Sequence, residues 1–433
     1  MKTKRNRKRI VLTGAWGGGK TTLLRELQAH PDFASSILVL TESAPLARQI
    51  GFSKDSERFP YYVVALQKAQ EEGIDELENQ EDHRGVLTHR GTLDALAFWE
   101  YQGGSTETFF NMIASTHRKE LERYDAVILL RTTALYAPGI YEGYRQSAGR
   151  PIARESREKA LELETFIHNA WKEHPGFFTI GEKDMPWSEK SRLAANILSA
   201  HLVPPGKPSC CEVNADLHKI RYPGSHQYTV NQQGQIQFQG KGKSRIRELE
   251  TVLPHGSWDS LIDIGCAKGM FLLWAWQRYG LKRLIGIEAA KDMVAACRKA
   301  VDYLDAPATI LHGSPGEYYK AFQPASLVLV LHCYHYLYFG SPYGTPGNPS
   351  HDRLFDIFAR ITSDTLVFAN PVKPEDNKIS FYRQKGISEE VIRRYNAREI
   401  LKSAQRHFHV KQFPLGEGRP YWVMRKPQGT MKK

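Results

Sequence analysis

The chain is 433 residues long, with 41% hydrophobic and 24% charged residues, which excludes a wholly disordered polymer and leaves room for two or three domains, each with its own core. Its 59 lysines and arginines outnumber 47 acidic residues, for a net charge of +12, which suits an anionic partner such as a nucleotide or nucleic acid. No run approaches the roughly 18 apolar residues of a membrane span. The basic opening "MKTKRNRKR" leads into an apolar stretch too short for a signal peptide, and Cys210, Cys211, Cys266, Cys297 and Cys333 form no CxxC pair. The expectation is a cytoplasmic protein with neither a disulfide framework nor a zinc site.

In chain order, the apolar run "RIVLT" meets the glycine turn "GAWGGGKTT" and a helix from Lys20 to about His30. "SILVLTE", a long polar helical region, "GVLTHRG", more helix, "YDAVILL", another helix and "GFFTIG" follow. Such alternation predicts a parallel sheet covered on both faces. The prolines of "LVPPGKPS", from Leu202, predict a linker, and "HQYTVNQQGQIQF" predicts a hairpin. A second α/β series starts at Leu261 and closes with "HFHVKQF" and "RPYWVMRK", read as an antiparallel pair at a sheet edge with "PLGEG" between them. No solenoid repeat is visible. The expected fold is therefore two doubly wound α/β domains in series: 1–203, then 204–257 as linker with hairpin, then 258–433 ending in an antiparallel strand.

The first glycine turn fits G-x-x-x-x-G-K-[ST] from Gly14 to Thr21, between a strand and a helix, the context that makes this motif a phosphate cradle. Gly14, Gly17, Gly18 and Gly19 let backbone amides converge on phosphate oxygens, and the helix start carrying Lys20, Thr21 and Thr22 adds its dipole. Lys20 is expected on the β and γ phosphates of ATP, and the Thr21 hydroxyl on Mg²⁺. Glu42 ends the second strand; His89, Arg90 and Asp94 follow the third. On these residues the segment from Arg9 to Leu202 resembles AAA-type P-loop domains that include the ribosylnicotinamide kinase module of bacterial NAD regulators. The resemblance implies roles for Glu42 with Arg48, for Arg90-Gly91 with Asp94, and for a basic lid carried here by Arg150 and Arg154. It also implies an acid where this chain has His89. A neutral imidazole is a poor Mg²⁺ ligand, which either removes phosphoryl transfer or leaves Glu42 or Asp94 to compensate, Glu42 also being the candidate for accepting a proton from a substrate hydroxyl.

The second turn, "LIDIGCAKGMF", contains Asp263, Gly265, Cys266, Ala267 and Gly269. Glu288 ends the next strand, about 19 residues on, the distance at which a carboxylate bonds a ribose diol. NAD fits that carboxylate too, but the loop lacks the G-x-G-x-x-G spacing a pyrophosphate needs. With Asp263 two residues before the first glycine, the segment from Trp258 to Lys426 resembles class I S-adenosylmethionine-dependent methyltransferases. The resemblance implies that Asp263 orients the methionine end through water. Ala267 stands where the middle glycine is usual, which is tolerable only if that backbone does not need a positive φ. The fourth strand ends in His332, Cys333, Tyr334 and His335, at the edge where such sheets bind ligands. His335 is the candidate base and Tyr334 a candidate for packing on a planar acceptor. No "NPPY" signature is present; "FANPV" lacks its aromatic residue.

These readings lead to a bifunctional enzyme using ATP, Mg²⁺ and S-adenosylmethionine on a nucleoside, nucleotide or nucleic-acid acceptor. Two alternatives stay open: a methyltransferase regulated by a weakly hydrolysing nucleotide module, and a nucleic-acid modification or repair factor using "MKTKRNRKR" as an electrostatic arm.

Overall fold

The computed structural model describes residues 8–34, 36–76, 85–146, 155–183, 185–202, 207–220, 227–253, 256–369, 382–383, 385–413 and 420–427. The chain divides into two compact units, 1–206 and 207–433. The basic arm over residues 1–7, Arg150, Arg154 and the "PLGEG" turn lie outside the described residues.

In the first unit, β1 (Lys8–Thr13), β2 (Ile37–Leu40), β3 (Gly85–His89), β4 (Ala126–Leu130) and β5 (Phe177–Ile180) form one sheet in the order β2-β3-β1-β4-β5. All its pairings are parallel. Parallel sheets need helices on both faces, so their strands read as unbroken apolar runs. Every residue of β4 is buried, as is every residue of β1 after Lys8. The helices Thr92–Tyr101 and Arg157–Trp171 cover one face, where Leu93, Leu163, Ile167 and Trp171 pack with Val11 and Val127. At the amino end of the sheet the fully buried Glu71 carboxylate accepts from Arg9 (3.2 Å), Tyr124 (2.7 Å) and Gln67 (3.0 Å), and from Arg123. That set fixes the long helix Phe59–Glu76 to β1 and to the segment leading into β4.

In the second unit, β6 (Gln227–Val230) and β7 (Ile236–Gln239) form a hairpin. A seven-stranded sheet follows: β8 (Ser260–Ile264), β9 (Arg283–Glu288), β10 (Ala308–His312), β11 (Ala325–Leu331), β12 (Thr362–Ala369), β13 (His409–Phe413) and β14 (Tyr421–Arg425). Its order is β10-β9-β8-β11-β12-β14-β13. The first five strands run parallel, and β14 is antiparallel to both its neighbours. This is the class I methyltransferase arrangement with its antiparallel strand near the carboxyl end, so the chain is two doubly wound α/β domains in series. The segment expected as a linker carries more than a hairpin. The helices Cys210–Lys219 and Lys241–Val252 flank it, and Val213, Leu217, Tyr228 and Ile246 share one core with Leu261, Phe271 and Leu284. Their helical spacing of apolar residues between prolines and glycines was overshadowed by the turn signals around them.

In both sheets the strand order reverses at the strand that leads into the glycine turn. β1 lies between β3 and β4, and β8 between β9 and β11. That reversal opens a crevice at the carboxyl ends of the strands, where ligands of open α/β sheets bind.

Candidate functional site

At the first turn Gly14, Gly17 and Gly19 have φ of 140°, 74° and 91°, left-handed values that only glycine adopts without strain. A side chain at Gly14 would meet the Leu130 carbonyl oxygen at 2.2 Å, and one at Gly19 the Trp187 ring at 2.4 Å. The loop's outer face is held by hydrogen bonds to three successive carbonyls. Thr132 Oγ1 donates to Trp16 O (2.5 Å), Thr133 Oγ1 to Gly17 O (3.2 Å), and Lys190 Nζ to Gly18 O (2.8 Å). In a trans peptide the carbonyl and the following N–H point in opposite directions, and no peptide bond here is cis. Carbonyls drawn outward therefore turn the Gly17 and Gly19 amides inward, as in an anion nest, while the Gly18 amide donates to Ala15 O (3.3 Å).

Lys20 folds back over this nest, its Nζ donating to Gly14 O (2.7 Å) and Ala15 O (3.0 Å). Burial, with Arg90 beside it, lowers its ammonium to about 7, against the pull of Glu42 and Asp94. Phosphate oxygens in the nest would replace those carbonyls and restore the charge. Thr21 and Thr22 are exposed at the helix start, so the Thr21 hydroxyl is open to a phosphate-bound Mg²⁺. Among the described residues no group of three or more His, Cys, Asp or Glu side chains is arranged to hold a metal ion. A Mg²⁺ carried by nucleotide phosphates needs no such cage.

The acidic candidates beside the loop differ. Glu42 immediately precedes the helix Ser43–Ile50, its side chain making no capping bond, and accepts from Arg90 Nε at 2.7 Å. Burial opposes its ionisation, but Arg90, His89 and Lys20 outweigh that and hold its carboxyl below the usual value. Asp94 is buried and accepts from four donors: Thr13 Oγ1 (2.5 Å), Arg90 Nη1 (2.9 Å), the Gly91 amide (2.9 Å) and Trp171 Nε1 (3.3 Å). With its acceptor sites occupied, it braces the start of its helix. His89 pairs in register with Leu12 of β1 and lies 4.0 Å from Glu42. Burial drives it down to about 4 despite that carboxylate, and its Nε2 is buried without a partner. Arg90, which ties Glu42 to Asp94, has φ 75°. Such strain in a bulky residue is held only where the surroundings over-determine it.

At the second turn Gly265, Ala267 and Gly269 all have positive φ, 71°, 48° and 82°. The condition attached to Ala267 is thus overturned: its backbone does adopt the left-handed form. A methyl side chain tolerates this at roughly 1–2 kcal/mol, and the hydrogen bond from its amide to Glu288 Oε2 (2.9 Å) helps hold it. Glu288 also accepts from the Ala290 amide at 2.9 Å, and its carboxyl is pushed up by burial. Backbone amides of Ala267, Ala289 and Ala290 orient this carboxylate, and of its about four acceptor sites at least one is left for a ribose hydroxyl. Asp263 lies fully buried in β8, its carboxyl raised well above the ordinary range by burial and by Glu288, and its Oδ2 has no hydrogen-bond partner. Buried acceptors are normally satisfied, so Asp263 fits the ammonium end of S-adenosylmethionine or the water that bridges to it. Cys266 is buried in the turn, and close packing on Cys333 and Cys297 leaves no room for a Cβ at Gly265 or Gly269.

The turn is also held from the segment before the sheet. Tyr228 Oη donates to Lys268 O (2.6 Å), and Lys268 Nζ to Leu217 O (2.8 Å). Beyond β11, Tyr334 is enclosed by Phe355, Phe368 and Tyr395, and its hydroxyl donates to His351 Nδ1 (2.6 Å). His351 Nε2 must in turn donate to Arg394 O (2.9 Å). Tyr334 is thus a satisfied core residue and not a platform for a planar acceptor. His335 is buried beside Tyr336, with ring centroids 3.9 Å apart. His332 has φ 61°, so both turns have a strained non-glycine residue beside them.

Sequence reasoning missed Thr132, Thr133, Lys190, Tyr228 and Lys268. Lys190 did leave a signal: with Leu193, Ala194 and Ile197 it falls on the buried stripe of the helix Trp187–Ala200, where a lysine is out of place without a partner.

Residues 9–186 match the family described as an AAA domain. No curated protein matches the chain. Among solved structures it is similar to a methyltransferase from Pyrococcus furiosus, at 18% identity over 43% of this chain and 83% of that one, TM-score 0.30. It is also similar to a SAM-dependent methyltransferase from Aquifex aeolicus, at 15% over 43% and 89%, TM-score 0.29. A third is a cyclopropane synthase from Mycobacterium tuberculosis, at 19% over 40% and 62%, TM-score 0.29. At such low scores the second unit is assigned by its own strand order and turn. The chain joins an AAA-type nucleotide-binding domain to a methyltransferase-fold domain.

Proposed function

We propose that the chain is a bifunctional enzyme: an ATP- and Mg²⁺-dependent, kinase-like phosphoryl transferase in the first unit and an S-adenosylmethionine-dependent methyltransferase in the second. The carrying observation is one arrangement found twice. Each switch-point turn holds a buried titratable side chain whose ionised form is opposite in charge to the ligand it would meet, Lys20 for phosphates and Asp263 for the cationic amino-acid end; burial disfavours both charges, and the ligand's opposite charge would restore them. In the first site the inward amides and Lys20 would bind phosphate, Thr21 would hold the metal and Glu42 would receive the acceptor proton, with Arg150 and Arg154 kept as the phosphate-binding arginines that the family resemblance implies. ATP supplies the transferable phosphoryl group. In the second, Asp263 and Glu288 orient the two ends of the donor, Gly265, Cys266 and Gly269 allow its close approach, and His335 takes the acceptor proton. S-adenosylmethionine supplies an already activated methyl, so alignment and exclusion of water carry most of the rate. A nucleoside, nucleotide or nucleic acid is the proposed acceptor, on the kinase resemblance and the net charge of +12.

Incubating the full chain with ATP, labelled S-adenosylmethionine and pools of nucleosides and RNA tests this. Phosphorylated and methylated products are expected, and Lys20→Ala is expected to abolish the first while sparing the second. A second reading, a methyltransferase governed by a weakly hydrolysing module, is favoured by His89, neutral at physiological pH where the kinase resemblance implies an acid. Slow ATP turnover indifferent to every hydroxyl acceptor would select it.

A further inference from the structure

Lys190 is nearly inaccessible and stands outside the G-x-x-x-x-G-K-[ST] motif, yet its Nζ makes three hydrogen bonds: to Gly18 O (2.8 Å), to Arg131 O (2.7 Å) and with Tyr136 Oη (3.0 Å). It bridges the third glycine-loop carbonyl, the carboxyl end of β4 and the short helix Thr133–Tyr136. Thr132 and Thr133 hold the two preceding carbonyls, so Lys190 completes a row of three outward tethers. We infer that Lys190 is a positioning residue of the phosphate site, holding the Gly18–Gly19 peptide so that the Gly19 amide faces the bound phosphate. This rests on the nucleotide reading of the first unit.

The partners make this tether operable in two protonation states. A charged ammonium donates three hydrogen bonds to three oxygens. A neutral amine donates two, to the Gly18 and Arg131 carbonyls, and its lone pair accepts from the Tyr136 hydroxyl. Both states are satisfied, so the proton can come and go without breaking the loop. Burial lowers the Lys190 ammonium to about 7, with Arg131 acting in the same direction and Glu164 opposing; Lys20 is the other cation coupled to it. A phosphate anion in the nest favours the charged form. Nucleotide binding is therefore coupled to proton uptake from solvent by Lys190, and affinity falls as pH rises above about 7.

Titration calorimetry of the full chain with ADP and Mg²⁺ at pH 8, in two buffers of unlike ionisation enthalpy, tests the inference. Wild type is expected to bind with net proton uptake. Lys190→Met is expected to weaken binding roughly tenfold or more and to reduce the uptake. Lys190→Arg keeps a fixed charge and should lose the uptake from this site. Tyr136→Phe takes an acceptor from the ammonium, a stronger charge-assisted bond than the one the hydroxyl donates to the neutral amine, so it disfavours the charged form and should weaken ADP binding and shrink the uptake, which keeps the test alive should the methionine variant fold poorly. Wild-type affinity and proton uptake in the variants overturn the positioning role while the nucleotide reading stands. No binding by wild type overturns that reading and this inference with it.

Discussion

Ala267 shows how much a single residue can reveal about its site. A glycine there would relieve its left-handed backbone, although glycine's freedom in the unfolded chain offsets part of the gain. We expect Ala267→Gly to raise stability by roughly 0.5–1 kcal/mol, read as an increased midpoint in urea, with S-adenosylmethionine affinity changed less than twofold if the amide still meets Glu288. Asp263 is the converse case, a group whose surroundings oppose its own charge. Asp263→Asn keeps the shape and removes the anion, and is expected to weaken S-adenosylmethionine binding roughly tenfold or more; unchanged affinity would remove Asp263 from the site. The residue types at both turns were legible because glycine spacing states a backbone requirement. The conformation of Ala267 was not, since an alanine gives no sign of a positive φ. The burial of Asp94 and Tyr334 was equally hidden, because a polar side chain's partners arrive from distant segments: Trp171 in one case, His351 in the other.

Strands announced themselves as apolar runs, and the carboxyl-terminal antiparallel pair was readable for the same reason. Elements between turn signals were harder. The helices Cys210–Lys219 and Lys241–Val252 lie in a stretch whose prolines and glycines suggested a connection, yet they complete the second unit's core. Removing residues 207–257 should therefore yield an insoluble or unfolded second unit; a monomeric, cooperatively unfolding fragment 258–433 would contradict that. The helix Phe59–Glu76 has a comparable anchor in the first unit. Glu71 accepts from two arginines in a fully buried position, and Glu71→Ala would leave Arg9 without that partner. Leaving a buried charge unpaired costs roughly 3–5 kcal/mol; Arg9 keeps Asp75 and Arg123 keeps Glu120, so a loss below that range is expected, read by chemical denaturation.

At the scale of the whole molecule, the buried histidines govern acid stability. His89, His174 and His351 are all held below the ordinary value of 6.5 by burial, His89 down to about 4. Between those values the unfolded chain binds more protons than the folded one, so stability falls as pH drops through that window and is retained above it. Thermal midpoints should decline from pH 6.5 towards 4; a flat profile would mean these imidazoles are not buried neutral. No helix among the described residues is long and apolar enough to cross a membrane. One polypeptide with a cradle for phosphate anions and another for a cationic methyl donor is expected to bind the two ligands independently. Titration calorimetry of the full chain, with ATP plus Mg²⁺ and separately with S-adenosylmethionine, measures this most directly. Binding of both is predicted, with Lys20→Ala losing only the nucleotide and Asp263→Asn weakening only the methyl donor. Absence of both heats in wild type, or one substitution removing both ligands from a chain that remains folded, would contradict it.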